Sequence, residues 1–523
     1  MKITLIDFFI IALYFAFTMA VGYFCGRGNK STNQYFLAGG SFSGLVIGIS
    51  FVGTLISSVT FIGIPADSFK TAWLRFVPNL AIPIVALMAA RFFVPFFRRG
   101  TITSAYEYLA LRFDGSVSFY AACAYIVTLL LRTSMIAYLL ALLLGEIIGW
   151  GFYTSLLAIV GFTAVYTTKG GFTAVIWTDV IQTFVLVAAA LACLVFIACS
   201  VPGGLGTIFT EALAHHKLSF AHDYDPATAA LAPVAAGFSL SEKTALMLLL
   251  AGFVQYISVQ LNQESVQRWC SAKSANDAKK SLYYMAAGCL PVWAFFQFLG
   301  TAIFVFFLYH PDAVAAGVLA GARKAESIMP YFISNHMPAG LKGLVIAGAL
   351  AAAMSTLSSC INTTSMVLVR DIYHKLRRTP ASDRHDLVLA KRLSIVIALM
   401  MIGGSIAIYL ADTVTLTDMM LTLTAIIASG VPGIFLAGML TRRASLRGAW
   451  AGLAASMFFV LWVKLSPLGW FPAALRLDVF SYYVAIIGNI LSFGLAWLVG
   501  GRDRAKKEMN NLTVWNQGGA PLE

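Results

Sequence analysis

An acid and a run of hydroxyl groups lie in segments of this chain that are apolar enough to span a membrane. Asp179 stands in one segment, and Ser355, Thr356, Ser358 and Ser359 stand close together in another. Polar oxygens in hydrocarbon are costly unless they bind something. A helix turns by about 100° per residue, so the Ser355, Thr356 and Ser359 hydroxyls share one stripe. Such oxygen ligands suit a small hard cation such as Na⁺.

Two structural alternatives remain open for these residues. Serine and threonine hydroxyls also bond to carbonyls of their own helix, and Asp179 could instead pair with a lysine or arginine from a loop.

The composition indicates an all-α polytopic membrane protein. The chain has 523 residues, of which 59% are hydrophobic and 11% charged, whereas soluble proteins carry roughly 25% charged residues. The net charge of +13 does not indicate nucleic-acid binding, because the basic residues cluster in alternate loops. No nucleophile, base and orienting acid are assembled, so we expect no enzyme. The sequence shows no repeated filter motif and no ring of charged residues, so it does not indicate a channel.

We predict thirteen spans, since each needs about 20 apolar residues. Of the 36 lysines and arginines, 24 fall in loops on one side, Arg268 among them. The positive-inside rule then places the N-terminus outside and the C-terminus inside. The predicted spans are 5–26, 41–64, 73–97, 117–149, 152–168, 173–200, 243–262, 281–309, 338–369, 389–411, 415–440, 447–465 and 479–499.

The second and seventh predicted spans are interrupted by polar residues. Three glycines and five hydroxyl residues lie within 48–65, and 255–263 is polar at and beyond the span's expected midpoint. Such a pair, five spans apart, favours an inverted five-plus-five repeat, whose unwound backbone binds ions. Close helix packing at small residues is the alternative. We expect one transporter domain over 1–523, divided into an extra helix (1–40), two repeats (41–240 and 241–440), two further helices (441–500) and a cytoplasmic tail (501–523).

Several motifs together resemble the sodium/solute symporter family over about 1–500. They are Gly170-Gly171-Phe172-Thr173-Ala174-Val175, Thr178-Asp179-Val180-Ile181-Gln182, Asn262-Gln263 with Gln267-Arg268, and Ala351 to Asn362 leading into Arg370-Asp371-Ile372-Tyr373. The resemblance implies a carrier core of the leucine-transporter type and Na⁺-driven uptake by alternating access.

The resemblance also implies sodium ligands. The family's common site falls on the carbonyls of Gly53, Ile56 and Ala352 and the hydroxyls of Ser355 and Thr356. A second site of some members corresponds to Asp179, Ser355, Ser358 and Ser359. This favours two Na⁺ per cycle, with one Na⁺ as the alternative.

Arg132, near the middle of the fourth span, predicts an anionic substrate. A guanidinium at that depth needs a partner, and its fork fits a carboxylate. We expect Ser57, Thr60, Asn79 and Gln255 to assist it. An intramembrane arginine here resembles the sialic-acid-transporting branch of the family.

Alternatives remain for the substrate and for Arg132. Arg132 could instead pair with Asp179 or Glu146, although Glu146 is about 21 Å along the same helix. Proline or a monocarboxylate is the next substrate candidate. A neutral sugar is disfavoured because Thr60 and Ser258 stand where sugar transporters have a glutamine and a gating tyrosine.

Other expectations concern partners and rival functions. We expect a functional monomer in a cell membrane, the bacterial inner membrane being favoured, with lipid and a carboxylate-bearing solute as partners. The rivals are a membrane sensor and a proton-coupled carrier, and the latter leaves the hydroxyl column unexplained.

Overall fold

The computed structural model describes residues 3–57, 59–98, 104–377, 382–411, 424–468, 470–500 and 512–515. Within these residues, nine helices are long and apolar enough to cross a membrane, and the number rises to eleven if each of two bent helix pairs is counted as one span. A shorter apolar helix covers Thr424–Leu440. The fold is therefore a bundle of membrane-length helices.

The helices are numbered along the described chain. In the first half they are α1 (Leu5–Gly26), α2 (Thr32–Leu37), α3 (Gly44–Leu55), α4 (Ile64–Lys70), α5 (Ile82–Met88), α6 (Val94–Phe97), α7 (Ala105–Arg112), α8 (Gly115–Ile148), α9 (Phe152–Ser200) and α10 (Gly204–Ala214). A hairpin of β1 (His222–Asp225) and β2 (Ala230–Pro233) follows, its antiparallel register pairing Asp223 with Ala232.

In the second half they are α11 (Ala245–Gln260), α12 (Gln263–Cys270), α13 (Ala275–Tyr309), α14 (Ala313–Leu319), α15 (Ile328–Asn335), α16 (Leu341–Val367), α17 (His374–Leu376), α18 (Asp383–Ala411), α19 (Val431–Leu440), α20 (Leu446–Leu465) and α21 (Val484–Gly500). Segments of π-helix (Val59–Gly63, Ala89–Phe93 and Leu368–Tyr373) and 3₁₀-helix (Trp73–Ala81) complete the longer spans.

Both predicted interruptions are breaks in the helices. The segments Gly44–Leu55 and Thr60–Lys70 meet at 64°, and α11 meets α12 at 53°. Ile56, just beyond α3, has extended backbone angles. Because the helix stops there, its last carbonyls lack partners within the helix and are available to other donors.

A glycine breaks the 49-residue α9. A straight helix of that length would measure about 70 Å, more than twice the thickness of the hydrocarbon core. Gly171 has φ +59°, and a Cβ there would lie 2.8 Å from Tyr35. The break falls between the predicted spans 152–168 and 173–200, where the sequence indicates a loop.

The core of the bundle is built around α16. This helix packs against α1, α8, α9 and α18, and its residues from 343 to 367 are almost all buried. The sequence in this helix is rich in alanine and hydroxyl residues, which allow close approach of neighbouring helices. The hydroxyl run Ser355–Ser359 therefore lies at the centre of the protein.

Two contacts outside the core fix the ends of helices. Lys217, after α10, is buried and its Nζ donates to the carbonyls of Phe69 (2.7 Å) and Thr71 (3.3 Å) at the end of α4. Near the C-terminus, the Val514 N–H donates to the Met439 carbonyl (2.9 Å) at the end of α19. Both contacts satisfy carbonyls that a helix end leaves free.

The structure corrects one assignment of the sequence analysis. Arg268 is not in a solvated loop: it lies on α12 and is fully buried. The short helix follows the 53° bend after α11 and packs against α3, α13 and α16, which a hydropathy pattern does not reveal. Part of the predicted span 415–440 lies outside the described residues.

Candidate functional site

The predicted first sodium site lies where α3 ends against α16. The Ser355 hydroxyl donates to the carbonyls of Gly53 (2.8 Å) and Ala352 (3.0 Å). Thr356 Oγ1 lies 3.4 Å from the Ala352 carbonyl. Four of the five predicted groups are thus joined by direct contacts, and Ile56 follows α3 at the break.

A small residue at position 53 is required by the packing. A Cβ at Gly53 would lie 2.6 Å from Thr183 Oγ1 and 2.8 Å from the Asp179 carbonyl on α9. Glycine therefore lets α3 and α9 approach closely and brings the carbonyl of Gly53 to α16.

The hydroxyls of the run also bond to backbone, as the structural alternative expected. Ser358 donates to the Ser355 carbonyl at 3.0 Å, and the two contacts to Ala352 lie within α16 itself. A hydroxyl that donates its proton keeps oxygen lone pairs. These bonds therefore orient the oxygens without using up their capacity to bind a cation.

Asp179 belongs to a buried ionic cluster with Arg268. Asp179 Oδ2 accepts from Arg268 Nη2 (3.0 Å), Ser50 (2.7 Å) and Thr54 (3.1 Å). Arg268 also donates to Ser359 (2.7 Å). Asp179 and Ser359, two of the four predicted ligands of the second sodium site, thus contact a guanidinium.

One oxygen of this cluster is left over. Asp179 Oδ1 is buried and has no hydrogen-bond partner among the described residues. A buried carboxylate oxygen without a partner loses its hydration without compensation. This oxygen is therefore a candidate ligand for a cation.

The cluster bears on two alternatives and reveals residues that the sequence analysis missed. Asp179 forms an ion pair with Arg268, one of the basic residues that the sequence analysis assigned to a loop, and not with Arg132. Ser50 and Thr54, four residues apart on the interrupted α3, were not proposed, although that spacing places both hydroxyls on one face. Arg268 was assigned to a loop because its short helix carries other polar residues.

Arg132 lines a cavity of about 530 Å³ between α8, α11 and the segment 424–432. The arginine is exposed and, within the described residues, forms no ion pair. Gln255 also lines this cavity, together with Glu264 and Lys464. The volume falls in the usual range for sites that bind small organic molecules.

Polar residues on two elements of the cavity wall follow one spacing. On α8, Tyr125, Thr128 and Arg132 stand at positions i, i+3 and i+7; Gln255, Ser258 and Asn262 repeat the pattern from α11 to its bend. This spacing puts each set on one helix face.

Two hydroxyls of this wall have no partner. Tyr125 Oη and Thr128 Oγ1 are buried without a hydrogen bond among the described residues. The sequence analysis missed both, although their spacing from Arg132 could have identified them.

The predicted substrate residues do not all meet in this cavity. Its described lining omits Ser57, Thr60 and Asn79. Ser57 and Thr60 are buried at the break after α3, and Asn79 Oδ1 accepts from Tyr256 Oη at 2.6 Å. Asn79 is therefore held to α11, the helix that also carries Gln255, through Tyr256.

The arrangement separates two kinds of binding chemistry. Oxygen ligands at the α3 break and on α16 suit a small cation. The cavity wall instead carries the Arg132 guanidinium, hydrogen-bonding amides and hydroxyls, and one further residue of each charge, Glu264 and Lys464. A planar guanidinium recognises a carboxylate through two parallel hydrogen bonds. The amides and hydroxyls fit the polar groups of an organic anion.

Comparisons with known proteins agree with this chemistry. The family model described as the sodium:solute symporter family matches residues 35–455. The sodium/sialic acid symporter SiaT of Proteus mirabilis is 31% identical over 87% of this chain and 89% of its own length. NanT of Aliivibrio fischeri, also a sodium/sialic acid symporter, is 29% identical over 93% of this chain and 91% of its own length.

A solved structure shares the fold. It is a substrate-bound, outward-open Na⁺-coupled sialic acid symporter with a novel Na⁺ site, and it matches with a TM-score of 0.83 and 27% identity over 95% of this chain and 98% of its own. The expected carrier fold and the multi-pass membrane location are therefore confirmed. This chain belongs to the sodium:solute symporter family.

Proposed function

We propose that this chain imports a small carboxylate-bearing solute, sialic acid (N-acetylneuraminate) being the best candidate, together with Na⁺ by alternating access. The observation that carries the proposal is Arg132, a cation without an ionic partner in the described part of the cavity wall. A guanidinium inside a membrane protein is stabilised when a carboxylate binds it. The two sodium/sialic acid relatives support this substrate.

The other cavity groups fit a substrate with many polar atoms. Gln255, Asn262, Tyr125 and Thr128 provide amides and hydroxyls beside Arg132. A short monocarboxylate would leave most of these groups without partners, which would weaken its binding. The cavity thus favours a larger, hydroxylated acid over a small one.

Ser57 and Thr60, the candidate substrate ligands at the break after α3, would reach the Arg132 cavity in another conformation of the transport cycle. Ser57 and Thr60 lie next to Gly53 and Ile56, the predicted sodium ligands. A change at the break therefore moves ion ligands and candidate substrate ligands together. We also include Asn79 among the candidate substrate ligands, because its hydrogen-bond partner Tyr256 follows Gln255 in the sequence.

The proposed topology has thirteen spans, with the N-terminus outside and the C-terminus inside. The nine long helices, the two bent pairs, the break at Gly171 and the helix Thr424–Leu440 support this number. We place an inverted five-plus-five repeat between α3 and α19, with a functional monomer in the bacterial inner membrane. Two Na⁺ would bind per substrate, one at each predicted site.

Uptake into proteoliposomes tests the proposal. Radiolabelled N-acetylneuraminate, proline, a short monocarboxylate and glucose are compared with and without an inward Na⁺ gradient. We expect Na⁺-dependent uptake of N-acetylneuraminate. Preferential uptake of another solute would overturn the substrate, and absence of Na⁺ dependence would overturn the coupling.

Variants of Arg132 identify the group that binds the carboxylate. Arg132→Met removes the charge at similar length and should lower the apparent substrate affinity by about 100-fold or more, since it removes charge-assisted hydrogen bonds. Arg132→Lys keeps the charge but lacks the forked guanidinium, so its apparent substrate affinity should lie between those of the wild type and Arg132→Met. Unchanged affinity in Arg132→Met, with ²²Na⁺ binding intact, would refute the assignment.

A further inference from the structure

The positively charged guanidinium of Arg268 contacts Asp179 and Ser359, two predicted ligands of the second sodium site, and so takes the place of a cation there. Its side chain is fully buried, on the short helix α12. It contacts Ser50 and Thr54 on α3, Asp179 on α9 and Ser359 on α16. One guanidinium thus holds α12 to three helices of the core.

The surroundings of the guanidinium suit a cation on every side. Besides the Asp179 carboxylate, the rings of Phe51 and Phe172 lie 5.4 and 5.7 Å from the guanidinium carbon. Aromatic faces attract cations. The pocket therefore compensates one positive charge, and Asp179 is the only acidic side chain with which Arg268 forms an ion pair among the described residues.

Charge balance argues against two cations here at once. Asp179 with Arg268 is neutral, and adding Na⁺ would leave a net positive charge in a buried site, which is strongly unfavourable. Replacing the guanidinium by Na⁺ keeps the site neutral. The unpartnered Asp179 Oδ1 offers a place where the ion can first bind.

We propose that Arg268 is a tethered competitor of Na⁺: the guanidinium and the second Na⁺ are alternative occupants of the site at Asp179. The inference rests on the proposed two-sodium function. It assigns Arg268 as a positioning residue, which closes the site when the ion is absent and withdraws when the ion binds.

The displacement would reach the substrate cavity through α12. Arg268 Nη1 donates to the Glu264 carbonyl at 3.2 Å, and Glu264 lines the cavity. The bend of 53° separates α12 from α11, which carries Gln255. Sodium that displaces the guanidinium releases α12 from α3, α9 and α16, and so couples the ion to the cavity wall.

The test is ²²Na⁺ binding to the full-length protein, with the number of sites and the half-saturating concentration read from each curve. Arg268→Gln removes the competing charge and should lower the half-saturating Na⁺ concentration of the second site by about 5- to 150-fold, the usual range of coupling between sites. Arg268→Lys keeps a charge there and should remain closer to the wild type. Unchanged or weaker second-site binding in Arg268→Gln would overturn the inference.

A second variant covers the case in which Arg268→Gln does not fold. Thr54→Val keeps the shape but removes an oxygen that accepts from Arg268 and donates to Asp179 Oδ2, so both partners of the ion pair lose one contact while Ser358 and Ser359 are retained. We expect it to strengthen second-site Na⁺ binding, to a smaller degree. Unchanged or weaker binding would show that Arg268 and Asp179 form a permanent structural pair.

Parallel uptake assays separate this inference from the proposed function. Wild-type protein with Na⁺-dependent uptake but a second site unaffected by these variants would refute only the role of Arg268. Wild-type protein without Na⁺-dependent uptake would refute the proposed function, and a single Na⁺ site in the wild type and in Arg268→Gln would refute the inference directly.

Discussion

The hydroxyl of Thr356 gives the sharpest test of the first sodium site. Thr356→Val keeps the shape of a fully buried side chain and removes only its oxygen. The lost contact within the protein is weak, since Oγ1 lies 3.4 Å from a carbonyl of its own helix. We therefore expect little loss of stability but a large loss of Na⁺ affinity.

The expected size follows from the bond to a charged partner. A polar contact with a charged group contributes about 1.5–3 kcal/mol, which corresponds to a rise of roughly 10- to 150-fold in the half-saturating Na⁺ concentration. The assay is substrate uptake at varied Na⁺, together with ²²Na⁺ binding. Thr356→Ser retains the hydroxyl and should stay within a few-fold of the wild type.

Two outcomes would refute this reasoning. An unaltered Na⁺ dependence in Thr356→Val would remove the residue from the site. An equal loss in Thr356→Val and Thr356→Ser would assign the effect to packing and not to the oxygen.

Two further variants test the fold around the site. Gly171→Ala should lower the free energy of unfolding by at least about 2 kcal/mol, because φ of +59° strains alanine and its Cβ would meet Tyr35. The control is Gly161→Ala, which lies in open space on the same helix. Equal melting temperatures of the two variants would contradict the argument. Burial lowers the pKa of Lys217 from 10.5 to about 7, so the unfolded chain binds more protons between these values and the folded state gains stability as the pH rises through that window. The melting temperature of the wild type should therefore rise relative to that of Lys217→Met between about pH 7 and about pH 10, and a constant difference between the two would exclude this role of the lysine.

The interrupted helices could be recognised from sequence because their cause is local. Glycines and hydroxyl residues between 48 and 63 weaken one helix, and the polar residues after Gln255 end another. The structure places breaks after Leu55 and Gln260. The Ser355–Ser359 column was likewise predictable, since spacing along one helix determines which residues share a face.

The position of Arg268 could not be read in the same way. Its burial depends on the bend between α11 and α12, and its partners come from α3, α9 and α16, far away in the sequence. Hydropathy treats a charged residue after a span as part of a loop. The sequence analysis placed Ser57 in the same site as Arg132, but Ser57 does not line the Arg132 cavity. This was missed for a related reason, because the lining of the cavity depends on how the helices are arranged in this conformation.

The segment 512–515 donates hydrogen bonds to carbonyls at the end of α19, a helix that is synthesised much earlier. The Trp515 indole N–H donates at 2.8 Å to the carbonyl of Leu440, 75 residues before it, and Tyr108 donates to the Leu512 carbonyl at 3.3 Å. The Leu440 carbonyl at the end of α19 therefore gains this donor only once the 75 residues that follow it, including α20 and α21, have been made. In biosynthetic terms, the segment 512–515 can make its contacts with the end of α19 only after α20 and α21 have been synthesised.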